Sequence, residues 1–290
     1  LYLLVGSSET ACPQSYSWFI LVSCYTVVIP PVPQPAVEQP KSNSKAASTL
    51  CFNEWLAGLI DGDGCFLISK AGYVSCEITV SLADEPMLLR VKQQLGGSVK
   101  LRSGCKAVRY RLHNIPGMIE LVNRVNGHIR NSVRVVQLVA ICAHLGIEYI
   151  PPRPLRANSC WYAGFFDADG TITFSLKAAG SSGKLRPQVY ISVTNKYKQD
   201  VDMFQAHFGG PIYVDTSQNS YYKWMITRRE LVDNFISYAK IAPVRSTKAK
   251  RLHLLPEFYN LVAMNAYDSS APTNIRNAWA KFVVKWDAAK

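Results

Sequence analysis

The chain has 290 residues, 48% of them apolar, which suits about two ordinary domains with a substantial core better than one domain with tails. With 32 Lys and Arg against 20 Asp and Glu, the net charge is +12 and the pI near 9.3, a balance that fits a polyanionic partner but is shared by basic proteins of other classes. The eight Cys include no C-x-x-C pair, which argues against a structural zinc site or a dithiol redox motif; they read as reduced thiols in a reducing compartment.

Residues 1–50 hold Lys41, Lys45, Glu9 and Glu38 as their charged groups, so all the surplus positive charge sits downstream. The apolar run between Ser17 and Pro30 is shorter than the roughly 20 residues needed to cross a bilayer. Glu9 and the absence of a basic leading region argue against a signal peptide. The stretch 30–48 is rich in Pro, Ser and Lys and reads as a linker. Residues 1–50 are therefore expected to be a poorly ordered extension, with no membrane partner.

A first helix is expected over about 53–61, with Asn53 as N-cap and Gly64 as stop. Residues 65–70 and 76–82 alternate like half-buried strands, 84–95 has helical periodicity, 98–102 and 108–112 alternate again, and 118–125 and 133–145 read as helices. Pro151, Pro152 and Pro154 interrupt both helix and ladder. The same order then returns: helix 162–167, strands 171–176 and 189–194, helix 199–208, strands 212–215 and 221–227, helices 229–239 and 247–259. A last helix over 273–286 places Ile275, Trp279, Phe282 and Trp286 at helical spacing, for packing against the second domain. The expected domains are 51–147 and 160–290, joined by a linker over 148–159.

The two halves repeat each other. EWLAGLIDGDGCF (54–66) is matched by CWYAGFFDADGTI (160–172), an offset of 169 − 63 = 106 residues. ITVSLADEPMLLRVKQQLGG (78–97) aligns without a gap with ISVTNKYKQDVDMFQAHFGG (191–210), and both end in Gly-Gly. The extra length of the second half falls at AGSSG, 179–183, which is turn chemistry.

Ala57-Gly58 and Ala163-Gly164 let another backbone approach closely, so the two motif helices can pack on each other. If their C-terminal ends lie together, Asp63 and Asp169 meet near a shared axis. Two carboxylates that close repel, and a divalent cation removes the problem; Asp oxygens, main-chain carbonyls and water are what Mg²⁺ prefers. A single Asp-Gly-Asp-Gly end is as well explained by a helix stop followed by a hairpin. Two copies at matched positions in a repeated frame are not.

LAGLIDGDG (56–64) and YAGFFDADG (162–170) resemble the two signature helices of the LAGLIDADG homing endonucleases, and the resemblance covers roughly residues 51–260. It implies an α+β fold of tandem, pseudo-symmetric αββαββα domains, with antiparallel sheets forming a saddle over DNA and the motif helices packed at the inter-domain interface. It implies a monomer with internal two-fold pseudosymmetry that cuts both strands of duplex DNA. Asp63 and Asp169 would bind the metal, assisted by the carbonyls of Gly62 and Ala168. The ion would be Mg²⁺ or another divalent cation such as Mn²⁺, with Ca²⁺ able to bind without supporting cleavage. Asp61 and Asp167 would cap or pack the interface. The family places a basic residue near the scissile phosphates, and Arg130 and Arg245 are the matching pair, with Lys248 as competitor; general phosphate contact explains all three equally well.

A saddle of antiparallel strands lays every second side chain into the major groove. The expected DNA-facing residues are Ser69 and Lys70; Ser98, Lys100 and Arg102; Arg109, Arg111 and His113; Thr171, Thr173, Ser175 and Lys177; Gln188, Tyr190, Ser192 and Thr194; and Tyr221 and Lys223. The intervening Val99, Leu101, Val108, Tyr110, Leu112, Ile172, Phe174, Leu176, Val189, Ile191 and Val193 would face the helices. Merely solvated sheet faces are the plainer alternative. Because the halves differ at nearly all these positions, the target is expected to be asymmetric. Two rivals stay open: a maturase that binds the RNA of its host intron, and a non-catalytic DNA-binding regulator. The first residue is not Met, which with the resemblance suggests an intron reading frame continuous with an upstream exon, in an organelle, the mitochondrion before the chloroplast.

Overall fold

The computed structural model describes residues 44–178, 185–216 and 221–289, all within one compact unit, Ser42–Lys290. The expected extension up to residue 43 and the 179–183 turn lie outside the described residues.

Helix α1 (Ser44–Asp63) is buried on every side over its second half, which is mostly apolar: Trp55, Leu56, Ala57, Leu59 and Ile60 are all 0% exposed. A helix whose large side chains point apolar groups in every direction must be covered all round, which puts it at the centre of the molecule. It begins well upstream of the expected start, because Ala46 and Ala47 are strong helix formers. Asn53 is consequently a mid-helix residue and not a cap, and its Oδ1 is buried without a hydrogen-bond partner.

The first half continues as β1 (Gly64–Ile68), β2 (Val74–Ser81), a short 3-10 turn at Leu82–Asp84, α2 (Glu85–Leu95), β3 (Ser98–Leu101), β4 (Ala107–Leu112), α3 (Ile115–Val125) and α4 (Ser132–Leu145). The second half follows with α5 (Trp161–Asp169), β5 (Gly170–Ala178), β6 (Leu185–Asn195), α6 (Gln199–Phe208), β7 (Ile212–Asp215), β8 (Tyr221–Ile226), α7 (Arg229–Ile241), α8 (Lys248–Ala263) and α9 (Thr273–Ala288). Both sheets are antiparallel and share one topology, β1-β2-β4-β3 and β5-β6-β8-β7. The α+β tandem repeat expected from the duplicated frame is thus the fold.

Strand alternation sorts the two sheet faces. Val108, Tyr110, Leu112, Ile172, Val189, Ile191 and Val193 are buried under the helices, as their spacing predicts. Leu101 and Leu176 depart from that pattern and are exposed. Leu101 closes the edge strand β3, and Leu176 lies toward the far end of β5, so both are near strand ends. The Gly-Gly pairs that end α2 and α6 have positive φ throughout: Gly96 74°, Gly97 79°, Gly209 69° and Gly210 82°. A side chain there would be strained, which is why the same dipeptide closes both copies.

Helix α9 packs as expected. Phe282 and Trp286 are buried and meet Phe174 and Phe258 at ring-centroid distances of 5.2–6.5 Å.

One cysteine expectation is corrected. Cys51 on α1 and Cys160 at the N-cap of α5 form a disulfide, with Cα atoms 5.2 Å apart and a sequence separation of 109. The pair was invisible to local spacing because only the packing of the two motif helices brings it together. Cys65, Cys76, Cys105 and Cys142 are free thiols, as expected.

Candidate metal centre and nucleic-acid face

The motif helices α1 and α5 run side by side with their C-terminal ends together. A Cβ built on Gly58 would overlap the Trp161 carbonyl and come within 2.7 Å of Phe165 N; one on Gly164 would overlap the Trp55 carbonyl and come within 2.9 Å of Leu59 N. Further along, a Cβ on Gly62 would meet the Ala168 methyl and lie 3.4 Å from Asp169 Oδ2. The backbones therefore touch where the Ala-Gly pairs sit, and the second Asp of each motif is carried to the common end.

The first Asp of each motif ties the halves together reciprocally. The Trp161 indole N–H donates to Asp61 Oδ2 and the Trp55 indole N–H to Asp167 Oδ2, each at 2.8 Å. Asp61 also accepts from Arg130 N at 2.8 Å, while Asp167 accepts from Arg245 N and from Ser246 N at 2.8 Å. Burial pushes the Asp61 carboxyl up to about 7 and raises Asp167, against these donors. Both residues cap and pack the interface, in the way the family resemblance implied.

Asp63 and Asp169 are the last residues of their helices. Burial, and then repulsion from Asp169, pushes Asp63 up to about 7; Lys248 and Arg134 pull the other way. Asp169 is also raised by burial, but Asn195 Nδ2 donates to its Oδ2 at 2.9 Å. In the first sheet the ladder position matching Asn195 is held by Val80, which has no amide to offer, so the two acids are unequally supported.

Lys248 is the basic group of this centre. All three of its ammonium protons are used, on the carbonyls of Phe166 (3.1 Å), Asp167 (2.6 Å) and Ala168 (2.7 Å), so it caps the negative end of α5. Arg134 is the second cation. Its Nη1 donates to Gln137 Oε1 at 3.2 Å and its charge acts on both acids. Two further acids hold the helix starts across the interface: Asp84 accepts from Thr247 N at 2.6 Å, and Asp200 from Ser132 N at 3.0 Å.

Arg130 and Arg245 need a correction. Their backbone N–H groups occupy matched positions on Asp61 and Asp167, but their guanidinium groups turn onto the motif tryptophans, Arg130 over Trp161 at 5.8 Å and Arg245 over Trp55 at 4.2 Å. Each lines a hollow beside the N-terminal turns of α1, around Leu50 and Glu54 or around Thr49 and Phe52. The aromatic rings offer these side chains a stacking surface that the acids at the other end do not.

The donor chemistry suits a hard divalent cation. Asp63 and Asp169 carry neighbouring carboxylates whose burial and repulsion a cation would relieve, and Mg²⁺ keeps several waters when bound by one or two carboxylates. Among the described residues no cluster of three or more His, Cys, Asp or Glu is poised to hold a metal, so water and carbonyl oxygen would complete any coordination. The Ala168 carbonyl already accepts from Lys248, leaving one lone pair.

The strand residues share the outward sheet faces. Ser98 pairs with Arg111 and Lys100 with Arg109, and with Arg102 and His113 they line a hollow of about 480 Å³. Arg109 and Arg111 are held by Glu77, each at 3.1 Å, an acid on that face which the sequence reading overlooked. Ser69 and Lys70 lie past the end of β1 in the turn, where Ser69 Oγ accepts from Tyr73 N. Thr171, Thr173, Ser175 and Lys177 are exposed opposite Ser192, Tyr190, Gln188 and Arg186. Thr194 pairs with Lys223, and Tyr221 opens the same strand. Ser192 is the exception: between Thr171 and Met225 it is only 3% exposed, so it does not present its hydroxyl for contact.

The model of the LAGLIDADG endonuclease family matches residues 56–142 and 162–259. An intron-encoded RNA maturase of Saccharomyces cerevisiae is 51% identical over 242 residues, 83% of this chain and 37% of that protein. A probable intron-encoded endonuclease of Debaryomyces hansenii is 43% identical over 295 residues, 98% of this chain and 44% of the relative. An intron-encoded DNA endonuclease of Dictyostelium discoideum is 30% identical, covering 86% of this chain and 79% of its own length. The chain thus spans less than half the length of the first two. Among solved structures, the I-LtrWI LAGLIDADG homing endonuclease bound to target DNA superposes with a TM-score of 0.63 at 14% identity, over 82% of this chain and 97% of that one, a likeness of fold.

Proposed function

The chain belongs to the LAGLIDADG endonuclease family, and from that premise we propose that it is a single-chain, site-specific DNA endonuclease that hydrolyses both strands of a long asymmetric duplex site. The observation that supports this most strongly is the pairing of α1 with α5, which carries two acids to one end of the interface, between two outward sheet faces lined with polar and basic side chains. An intron-encoded origin and an organellar setting, the mitochondrion before the chloroplast, accord with relatives named as intron-encoded proteins.

Asp63 and Asp169, with the carbonyls of Gly62 and Ala168, are the groups that would hold Mg²⁺ or Mn²⁺. When bound, such an ion supplies charge on the scissile phosphate and a water more acidic than bulk water. The protein's own residues do the positioning. Asn195 fixes the rotamer of Asp169 through its amide donor. Lys248, locked by three carbonyls, keeps one positive charge beside the two acids, where developing charge on a phosphate would feel it. Lys100, Arg102, Arg109 and Arg111 in one half, and Lys177, Lys223, Thr171 and Thr173 in the other, offer unlike sets of donors to base edges and phosphates.

Selection for cutting from a library of randomised duplexes, with purified protein and Mg²⁺, tests the proposal. A recovered consensus whose two half-sites differ, cut on both strands, is the expected result; no linear product from any duplex under Mg²⁺ or Mn²⁺ would rule the nuclease out.

A second reading has a specific observation behind it: the 51% identical relative is named an RNA maturase. On that reading the chain also assists splicing of its host intron, with or without DNA cleavage. Retention of both motif acids speaks against a regulator that binds without cutting.

A further inference from the structure

Six arginines gather at the end of the motif helices away from the acids. On one flank of α1, His128, Arg130, Arg153 and Arg156 line a hollow of about 250 Å³ with Leu50 and Glu54. On the other, Arg90, Arg124 and Arg245 line a groove of about 950 Å³ that also touches Phe52. The α1 residues in these walls, 48 to 54, precede Asp63 by nine or more positions, so both hollows lie roughly 14 Å or more back along the axis.

The charge there is only partly compensated, with Asp61 and Glu54 acting on Arg130 and Asp167 on Arg245. Glu54 is paired with Arg156 at 2.8 Å and Glu120 with Arg124 at 2.7 Å. Among the described residues no carboxylate forms an ion pair with Arg90, Arg130, Arg153 or Arg245. The Nε of Arg130 is buried without a partner, although its Nη2 is held by the Arg153 carbonyl. The guanidinium groups also crowd their neighbours: Arg153, Arg130 and Arg156 all oppose a charge on His128, whose pKa is lowered first by burial. Nothing in the metal centre or on the strand faces requires this arrangement.

We propose that this end of the molecule is a second nucleic-acid surface, built for folded RNA, with Arg130 and Arg245 at the floors of two recesses that take unpaired nucleotides and their phosphates. A rod of duplex DNA presents its phosphates on a smooth cylinder and cannot push them into separate hollows on either side of a projecting helix. RNA loops and bulges splay single nucleotides out, and guanidinium planes and aromatic rings such as Phe52 stack on them. The proposal rests on the second reading above and names the face that reading needs. It leaves the strand faces free, so RNA and duplex DNA do not compete for one site.

Arg90 and Arg153 are exposed and take no part in the motif interface, so Arg90→Ala/Arg153→Ala tests the surface with the fold intact, checked by an unchanged melting temperature. The probes are a fluorescein-labelled RNA hairpin with an unpaired loop and a labelled DNA duplex, each titrated with full-length protein over a range of salt. Loss of two phosphate contacts should weaken hairpin binding roughly tenfold and flatten its log–log salt slope by about 1.4, leaving duplex affinity within about twofold. Lys100→Ala/Arg102→Ala should do the reverse. Unchanged hairpin affinity in the first variant overturns the proposal, and so does weakened duplex binding in its place, which would make this end a second DNA surface. Intact splicing of the host intron by Arg90→Ala/Arg153→Ala likewise sinks the surface while sparing the maturase reading. Failure of wild-type protein to assist splicing, with hairpin binding still sensitive to these arginines, sinks that reading alone.

Discussion

Gly164→Ala isolates the contact on which the two-acid centre is built. On a free helix the change would stabilise, since Gly is about 1 kcal/mol worse than Ala in a helix interior. Here the new methyl would overlap the Trp55 carbonyl oxygen and sit 2.8 Å from Trp55 C and 2.9 Å from Leu59 N, all backbone atoms of α1. Ordinary carbon contacts lie at about 3.5–4.0 Å, so α1 and α5 would have to part by more than about 1 Å to relieve the overlap with the Trp55 carbonyl. That separation would strain a core in which Trp55, Leu56, Phe165 and Phe166 are 0% exposed, and would lengthen both indole hydrogen bonds across the interface. Overpacking of this kind costs about 1–3 kcal/mol, and the loosened charged hydrogen bonds add about 1 more. After subtracting the propensity gain, a net loss of about 1–3 kcal/mol is expected, read as a lower urea midpoint at unchanged m-value. A midpoint equal to or above wild type would refute backbone contact between the motif helices.

Three other outcomes follow from named interactions. In the absence of divalent cations, stability should fall as pH rises from about 4 to about 7. Asp61 and Asp63 hold protons up to about 7 in the folded protein but only to about 4 when unfolded, so the native state binds more protons across that window and loses the advantage as they dissociate. Asp63→Asn should flatten the profile and raise the melting temperature at pH 8 in chelator, and a steeper profile in the variant would contradict the assignment. Trp161→Phe removes the indole donor to buried Asp61 and should cost about 2 kcal/mol in urea unfolding, whereas a change under about 0.5 kcal/mol would mean the bond is dispensable. Reduction of Cys51–Cys160 releases a link across 109 residues; loop entropy sets a ceiling of about 4–5 kcal/mol, and the dithiothreitol-induced drop in melting temperature should vanish in Cys51→Ser/Cys160→Ser.

The repeated frame made much of this molecule legible from its residues. The repeated order of elements in the two halves foretold two sheets of one topology, and the Gly-Gly ends shared by both segments prove to have positive φ in both copies. The paired acids followed from the Ala-Gly contact surface. What escaped depends on geometry between the halves. Cys51 and Cys160 are far apart in sequence and meet only because the motif helices pack. Asp84 and Asp200 sit in unremarked helix starts until the opposite half delivers Thr247 and Ser132 to them. Arg130 and Arg245 occupy matched backbone positions, but the direction of a long side chain is decided by the ring beside it. Lys248 emerged as the central cation only once three carbonyls at the end of α5 were seen to converge on it.

The central claim is that Asp63 and Asp169 act together on the phosphodiester backbone. Its most direct test uses a duplex recovered by selection and compares wild type, Asp63→Asn and Asp169→Asn under Mg²⁺, scoring strand breaks and affinity on the same samples. Affinity within about twofold of wild type with no linear product from either variant is the predicted result. Linear product formed at the wild-type rate by either variant would contradict the account.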